Sequence, residues 1–195
     1  MTTTARIARP GDHAAALEVW LRANTARGKT PGPDRVARVR AKLADAALVV
    51  VAERVGDVVG MALAEPGPDR DGAGEVLPEL CHLSMVFVDP DHWGNRIGQP
   101  LLDAVYEQAV RQGHTLVHLW TGEDNQRARR LYDRAGFLPS GRADLLDTAN
   151  ASSTSPGPCD RARWLGDHDR RVTWRTAAAR APGGRGRWPN PRWCR

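Results

Sequence analysis

The sequence predicts one α/β domain, with a mixed central sheet of about six to seven strands flanked by about four helices. Three observations lead there. β-branched or alternating runs take turns with runs of helical period from Thr4 to Phe137. One buried strand pattern, Leu80 to Val88, passes through a glycine-containing turn straight into a helix start. The chain has 195 residues with 41% hydrophobic content, enough for a real core.

Thr4 to Ala8 alternates as a short strand, and Pro10-Gly11-Asp12 supplies a turn and helix cap ahead of Ala14, Leu17, Trp20 and Leu21. A loop from Gly28 to Pro33 leads to a second helical pattern at Val36, Val39, Leu43 and Ala47. Leu48 to Glu53 and Val58 to Ala64 read as a hairpin turning at Gly56-Asp57. Pro66 to Gly74, with three glycines and two prolines, reads as a flexible acidic loop before the buried strand. Leu101, Leu102, Val105, Ala109 and Val110 share a helix face that ends at Gly113. Thr115 to Trp120 is a further strand. Asp124 or Asn125 caps the last helix, whose apolar face is Ala128, Leu131, Tyr132 and Ala135, with Gly136 as its stop.

The formal charge of +5 is uneven: residues 1–140 carry a net −1 and residues 141–195 a net +6. The latter part holds eight arginines between Arg161 and Arg187 and four of the seven tryptophans without periodicity. The division expected is a folded domain over 1–142 and a basic tail over 143–195, mostly disordered, in which Val172 to Thr176 is the one piece able to pair as a strand. Truncation after about Ser155 is then expected to spare ligand binding. Cys81, Cys159 and Cys194 are an odd set without a C-x-x-C pair, which suits a reducing compartment better than a disulfide framework or zinc ribbon. With no signal-like N-terminus, and Ala46 to Ala52 as the longest apolar run, the expectation is a soluble cytoplasmic protein.

The informative segment runs from Leu83 to Leu102. Its turn, Trp93-Gly94-Asn95-Arg96-Ile97-Gly98, opens a helix with Pro100 in the first helical turn. Consecutive N–H groups backed by a helix dipole suit a phosphate or pyrophosphate. The segment resembles the acetyl-CoA-binding motif of the GNAT superfamily of N-acetyltransferases, with Val88-Asp89-Pro90 in place and Gly98 at the final motif position. It departs from the pattern at Trp93, where Arg or Gln is usual, and at Arg96, where the first glycine is usual. Right-handed geometry is expected at Arg96, since positive φ costs a residue with a Cβ about 1 kcal/mol or more.

A second block resembles the same family: Leu119-Trp120-Thr121, Asn125, Ala128, Leu131-Tyr132 and Gly136-Phe137. The resemblance spans roughly Thr4 to Arg142 and implies acetyl-CoA as co-substrate, no metal, and direct attack of an amine in a ternary complex. By resemblance, Val86, Phe87, Val88, Trp93, Gly94, Asn95, Arg96, Ile97, Gly98 and Asn125 hold the cofactor. Backbone N–H near Val86 polarises the acyl carbonyl, and Tyr132 donates a proton to the departing thiolate. Acyl transfer to an amine also needs a proton acceptor. Glu79 and His82, which precede Val86 on the same strand, are the candidates, directly or through water. Cys81 reads as a small buried hydrophobe, because direct attack needs no acyl-enzyme.

The acceptor is not encoded; a small amine, an antibiotic and a peptide N-terminus stay open, as does a homodimer. The alternatives are a non-catalytic acyl-CoA-binding module with a degraded loop, motivated by Trp93 and Arg96, and a weaker reading as a nucleic-acid binder acting through the tail. Membrane association is not expected, nucleic acid is disfavoured because a solvated extension is the commoner explanation of such a tail, and the neutral 1–140 surface argues against a dedicated polyanionic substrate. Gly28-Lys29-Thr30 imitates the end of a P-loop, but Ala23 stands where its first glycine is required.

Overall fold

The computed structural model describes residues 2–68, 75–145 and 170–177. Its elements are β1 Thr4–Ile7, α1 His13–Thr25, α2 Pro33–Asp45, β2 Leu48–Arg54, β3 Asp57–Pro68, β4 Val76–Val88, α3 Gly98–Arg111, β5 Leu116–Gly122, α4 Gln126–Arg134, β6 Leu138–Leu145 and β7 Arg170–Ala177. Single 3-10 turns at Pro10–Asp12 and Pro90–His92 lead out of β1 and β4.

The seven strands form one mixed sheet in the order β1-β2-β3-β4-β5-β7-β6. Every neighbouring pair is antiparallel except β4 and β5, which are parallel and joined across α3. Strand alternation then sorts the side chains between two layers. Val49 and Val51 pack with α1 and α2 through Ala16, Trp20, Val39 and Leu43, whereas Leu48, Val50 and Ala52 face α3 and α4 through Leu101, Val105 and Tyr132. Each fully buried aliphatic of this kind contributes about 1.5–3 kcal/mol relative to exposure.

Asp12, one residue before α1, accepts the Arg9 N–H at 2.7 Å and takes a bidentate Arg6 pair at 2.7 and 3.0 Å. Arg6 also reaches Glu53 on β2, so the ion cluster pins the start of α1 to the sheet.

Several expectations are corrected. The hairpin turns at Val55-Gly56 rather than Gly56-Asp57. Both central residues have positive φ, +54° and +89°, which matches the right-handed twist of the flanking strands. Pro66 to Pro68 extends β3 instead of opening the loop, while 69–74 lie outside the described residues. Arg96 has φ +58°, not right-handed geometry, because the chain must reverse between Gly94 and α3. Arg170–Ala177, placed in the tail by the sequence, is a strand between β5 and β6, in register from Leu116↔Ala177 to Gly122↔Arg171. The sheet thus draws on residues past 142. Its seventh strand contains the Val172 to Thr176 candidate. Cys159, Cys194 and the rest of the basic tail lie outside the described residues.

Candidate functional site: the opening between β4 and β5

The parallel strands β4 and β5 pair only from Leu80↔Leu116 to Leu83↔Leu119. Beyond that row they part. Met85 to Val88 keep their partners on β3, and Trp120 to Gly122 keep theirs on β7. A register shift between Leu63 and Ala64 accompanies the divergence. Backbone donors on the β5 side of β4, around Val86, are therefore released from the ladder and face an opening, as an acyl carbonyl would require. Val86, Phe87 and Val88 line this stretch, all half-buried.

At the wide end, the chain leaves β4 through Asp89. This carboxylate is buried and held by Arg22 of α1 at 2.7 Å, while its other oxygen accepts the Asp91 N–H at 3.0 Å. Asp91 binds the same guanidinium. Trp93 follows, its indole N–H donating to the Val88 carbonyl at 2.8 Å. Gly94 and Arg96 both have positive φ, and Ile97 returns to right-handed geometry at φ −65°, ψ −28°. A left-handed residue followed by a right-handed one turns successive N–H groups toward one point, and here that point adjoins the start of α3, where the Gln99 N–H is already taken by the Arg96 carbonyl and Pro100 has none. Gly94, Asn95 and Arg96 are exposed, whereas Ile97 and Gly98 are buried against the core.

Helix α4 closes the other side. A Cβ on Gly98 would stand 2.7 Å from Leu131, so glycine is what lets the start of α3 meet α4. One helical turn earlier, the Arg127 guanidinium lies over the Trp93 ring, 4.4 Å from its centroid. The two blocks read from the sequence thus meet in space. Asn125 is the N-cap, its Oδ1 accepting from Ala128 N–H at 3.2 Å. Seven residues on, Tyr132 is buried edge-on against Phe137, with centroids 5.5 Å apart. Burial pushes the Tyr132 phenol up to about 12, partly opposed by the Arg27 guanidinium. It keeps its proton throughout the neutral range.

The two base candidates are not brought together. His82 is half-buried, one row short of the point where β4 and β5 part, with its ring against His118 of β5. Glu79 is exposed and three residues earlier, within the irregular stretch of β4 between the Leu77 and Cys81 pairings, with its carbonyl accepting from Thr115. Cys81 lies in the α3-side core, where burial above all, and the Glu65 carboxylate second, raise its thiol to about 11, unlike an activated nucleophile. Sequence reasoning missed Arg22, Arg127 and His118. Each becomes visible only when the register and the helix placements are known.

The end of the β4–β5 ladder leads through Asp89 into the convergent turn, and the start of α3 meets α4 at a glycine-sized contact. The profile of the acetyltransferase (GNAT) family matches residues 14–137. A mycothiol acetyltransferase from Sanguibacter keddieii is 35% identical over 136 residues, covering 68% of this chain and 42% of that protein. The chain thus spans less than half of that relative's length. A putative acetyltransferase from Salmonella typhimurium, solved with its cofactor acetyl-CoA, superposes with a TM-score of 0.64 at 20% identity, over 94% of this chain and 98% of that one. The ribosomal-protein-S18-alanine N-acetyltransferase of Escherichia coli gives 0.64 at 17% identity, over 96% and 99%. No described helix is long and apolar enough to cross a membrane. With the family profile covering well over half of its length, the chain belongs to the acetyltransferase (GNAT) family.

Proposed function

We propose that the protein is an N-acetyltransferase that moves an acetyl group from acetyl-CoA to a primary amine by direct attack in a ternary complex. The observation that carries this reading is the early end of the β4–β5 ladder at Leu83↔Leu119, beyond which β4 keeps a strand partner on the β3 side alone and runs into the turn that opens α3. The Salmonella relative holding acetyl-CoA supports the choice of cofactor.

Acetyl-CoA supplies the acetyl group as an activated thioester. The N–H groups of Arg96, Ile97 and Gly98 would hold the phosphates, and Asn125 would contact the arm alongside α4. The backbone near Val86 would orient and polarise the carbonyl. His82 or Glu79 takes the proton that an ammonium must lose before it can attack, and Tyr132 holds a proton at its hydroxyl for the leaving sulfur. His82 is the better placed of the two, beside the last paired rows of β4 and β5. The acceptor is a small-molecule or peptide amine.

Isothermal titration with acetyl-CoA, followed by thiol release across a panel of amines, tests the reading. No binding at millimolar ligand sinks it. Binding without acceptor-dependent thiol release favours a non-catalytic acyl-CoA module, the reading that the substitutions Trp93 and Arg96 would support.

A further inference from the structure

Three strands place Glu65, His82 and His118 in one continuous row: Glu65↔His82 between β3 and β4, and His82↔His118 between β4 and β5. Cys81 and Leu83, the neighbours of His82, point into the α3-side core, so this row faces the α1/α2 layer. Lys42 of α2 confirms the face, since its ammonium meets the Glu65 carboxylate at 2.8 Å. The two imidazole rings stand edge to face, 4.7 Å between centroids at 74°.

His118 is 1% exposed. It packs beneath Gly67, where a Cβ would come within 3.2 Å of its Nε2 and 2.7 Å of Leu80, so glycine at that position makes room for the ring. Burial of this degree disfavours an imidazolium. His82 is half-buried at the narrow end of the opening, one row short of the last β4–β5 pair.

We propose that His118 is a positioning residue for His82: a buried, neutral imidazole whose edge-to-face packing orients the His82 ring and stabilises its protonated form while the acceptor ammonium is deprotonated. The inference rests on the acetyltransferase reading above. In the step concerned, an N–H bond of the ammonium breaks and its electron pair stays on the amine nitrogen, while the proton bonds to a ring nitrogen of His82. The charged and titratable groups of the row are Glu65, neutralised in part by Lys42, His82 and His118, and the register position beside His118 on β7 belongs to Arg175.

Histidine proton NMR and the pH profile of kcat/KM test this together. In the unaltered protein, His82 titrates and His118 stays neutral between pH 5 and 9; a His118 that titrates freely overturns the proposal. His118→Phe keeps an edge-to-face ring and removes the nitrogens. It is expected to move the acidic limb of kcat/KM, and the His82 titration, at least half a unit toward lower pH. Its plateau falls roughly 3- to 10-fold while acetyl-CoA affinity stays unchanged. His118→Asn, smaller and polar, should move the limb in the same direction by less, and serves if the phenylalanine variant does not fold. An unmoved limb in a folded variant overturns the inference. His82→Gln separates the two ideas. If it removes the acidic limb while His118→Phe changes nothing, only the role of His118 fails; if it leaves the limb intact, both that role and His82 as base fail, with acetyl-CoA binding still measurable.

Discussion

The Arg127 guanidinium covers the Trp93 ring at 4.4 Å, joining the first turn of α4 to the loop that leads into α3. Trp93 is itself fixed by its bond to the Val88 carbonyl, so the cation is carried on a platform anchored in the sheet. A cation over an indole is worth about 0.5–1 kcal/mol at an exposed site. The Arg127→Ala variant should weaken acetyl-CoA binding roughly 3- to 10-fold at low salt, with the deficit shrinking as salt rises. Titration at two ionic strengths checks this, and an equal deficit at both would assign Arg127 to packing alone.

The Tyr132→Phe variant keeps the contact with Phe137 and loses only the hydroxyl. Turnover should fall roughly 10- to 1000-fold with acetyl-CoA affinity barely changed. The defect should narrow as pH rises toward a thiol pKa of about 8.5, where the leaving sulfur departs unaided. Unchanged turnover would make Tyr132 a core residue.

Replacing Arg96 by glycine relieves the positive φ of +58°. The gain should be roughly 0.5–1 kcal/mol of stability, after allowing for the entropy of the glycine in the unfolded chain. Denaturant unfolding measures it, and a loss of stability would show that the Arg96 side chain makes a compensating contact.

Bonds from Arg6 and from the Arg9 N–H hold the Asp12 carboxyl down to about 2, against an ordinary value near 3.8. A lowered carboxylate stabilises the fold above its unfolded pKa, and that contribution fades as pH falls through the folded one. The Asp12→Asn variant should therefore lose about 1 kcal/mol at pH 7, with partial screening allowed for, and the gap should close between pH 4 and 2. A gap that persists at pH 2 would trace the effect to something other than charge.

Deleting residues 146–195 removes β7 from between β5 and β6. The truncated chain should lose cooperative unfolding and acetyl-CoA binding together, whereas a chain ending after residue 180 keeps both. Circular dichroism melts of the two truncations decide it, and a cooperatively folding short form would show that β5 can close the opening alone.

Much of this was legible in the sequence because the signals were local. The strand-turn-helix from Leu83 to Leu102 and the cap at Asn125 depend on residues within a few positions of one another, and the structure places both as expected. The hairpin turn lies one residue earlier than Gly56-Asp57, because Val55 accepts a conformation unfavourable for a β-branched side chain. Arg96 failed for the same reason: local preference yields to the path that the chain must follow. Arg22, Arg127 and His118 were invisible for a different reason. Their partners Asp89, Trp93 and His82 lie in other elements, and no local pattern encodes a register or a helix approach.

The strand order has a consequence for how the molecule is made. β5, one wall of the opening, has β7 as its outer neighbour, and β6 reaches the sheet only through β7. During synthesis, β6 leaves the ribosome with no sheet edge of its own to join. It pairs with residues 170–177, the last of the described strands along the chain. Until β7 is in place, the outer edge of β5 has no strand partner among the described strands. Closing that gap brings together segments far apart along the chain, which makes β7 docking the expected slow step of folding.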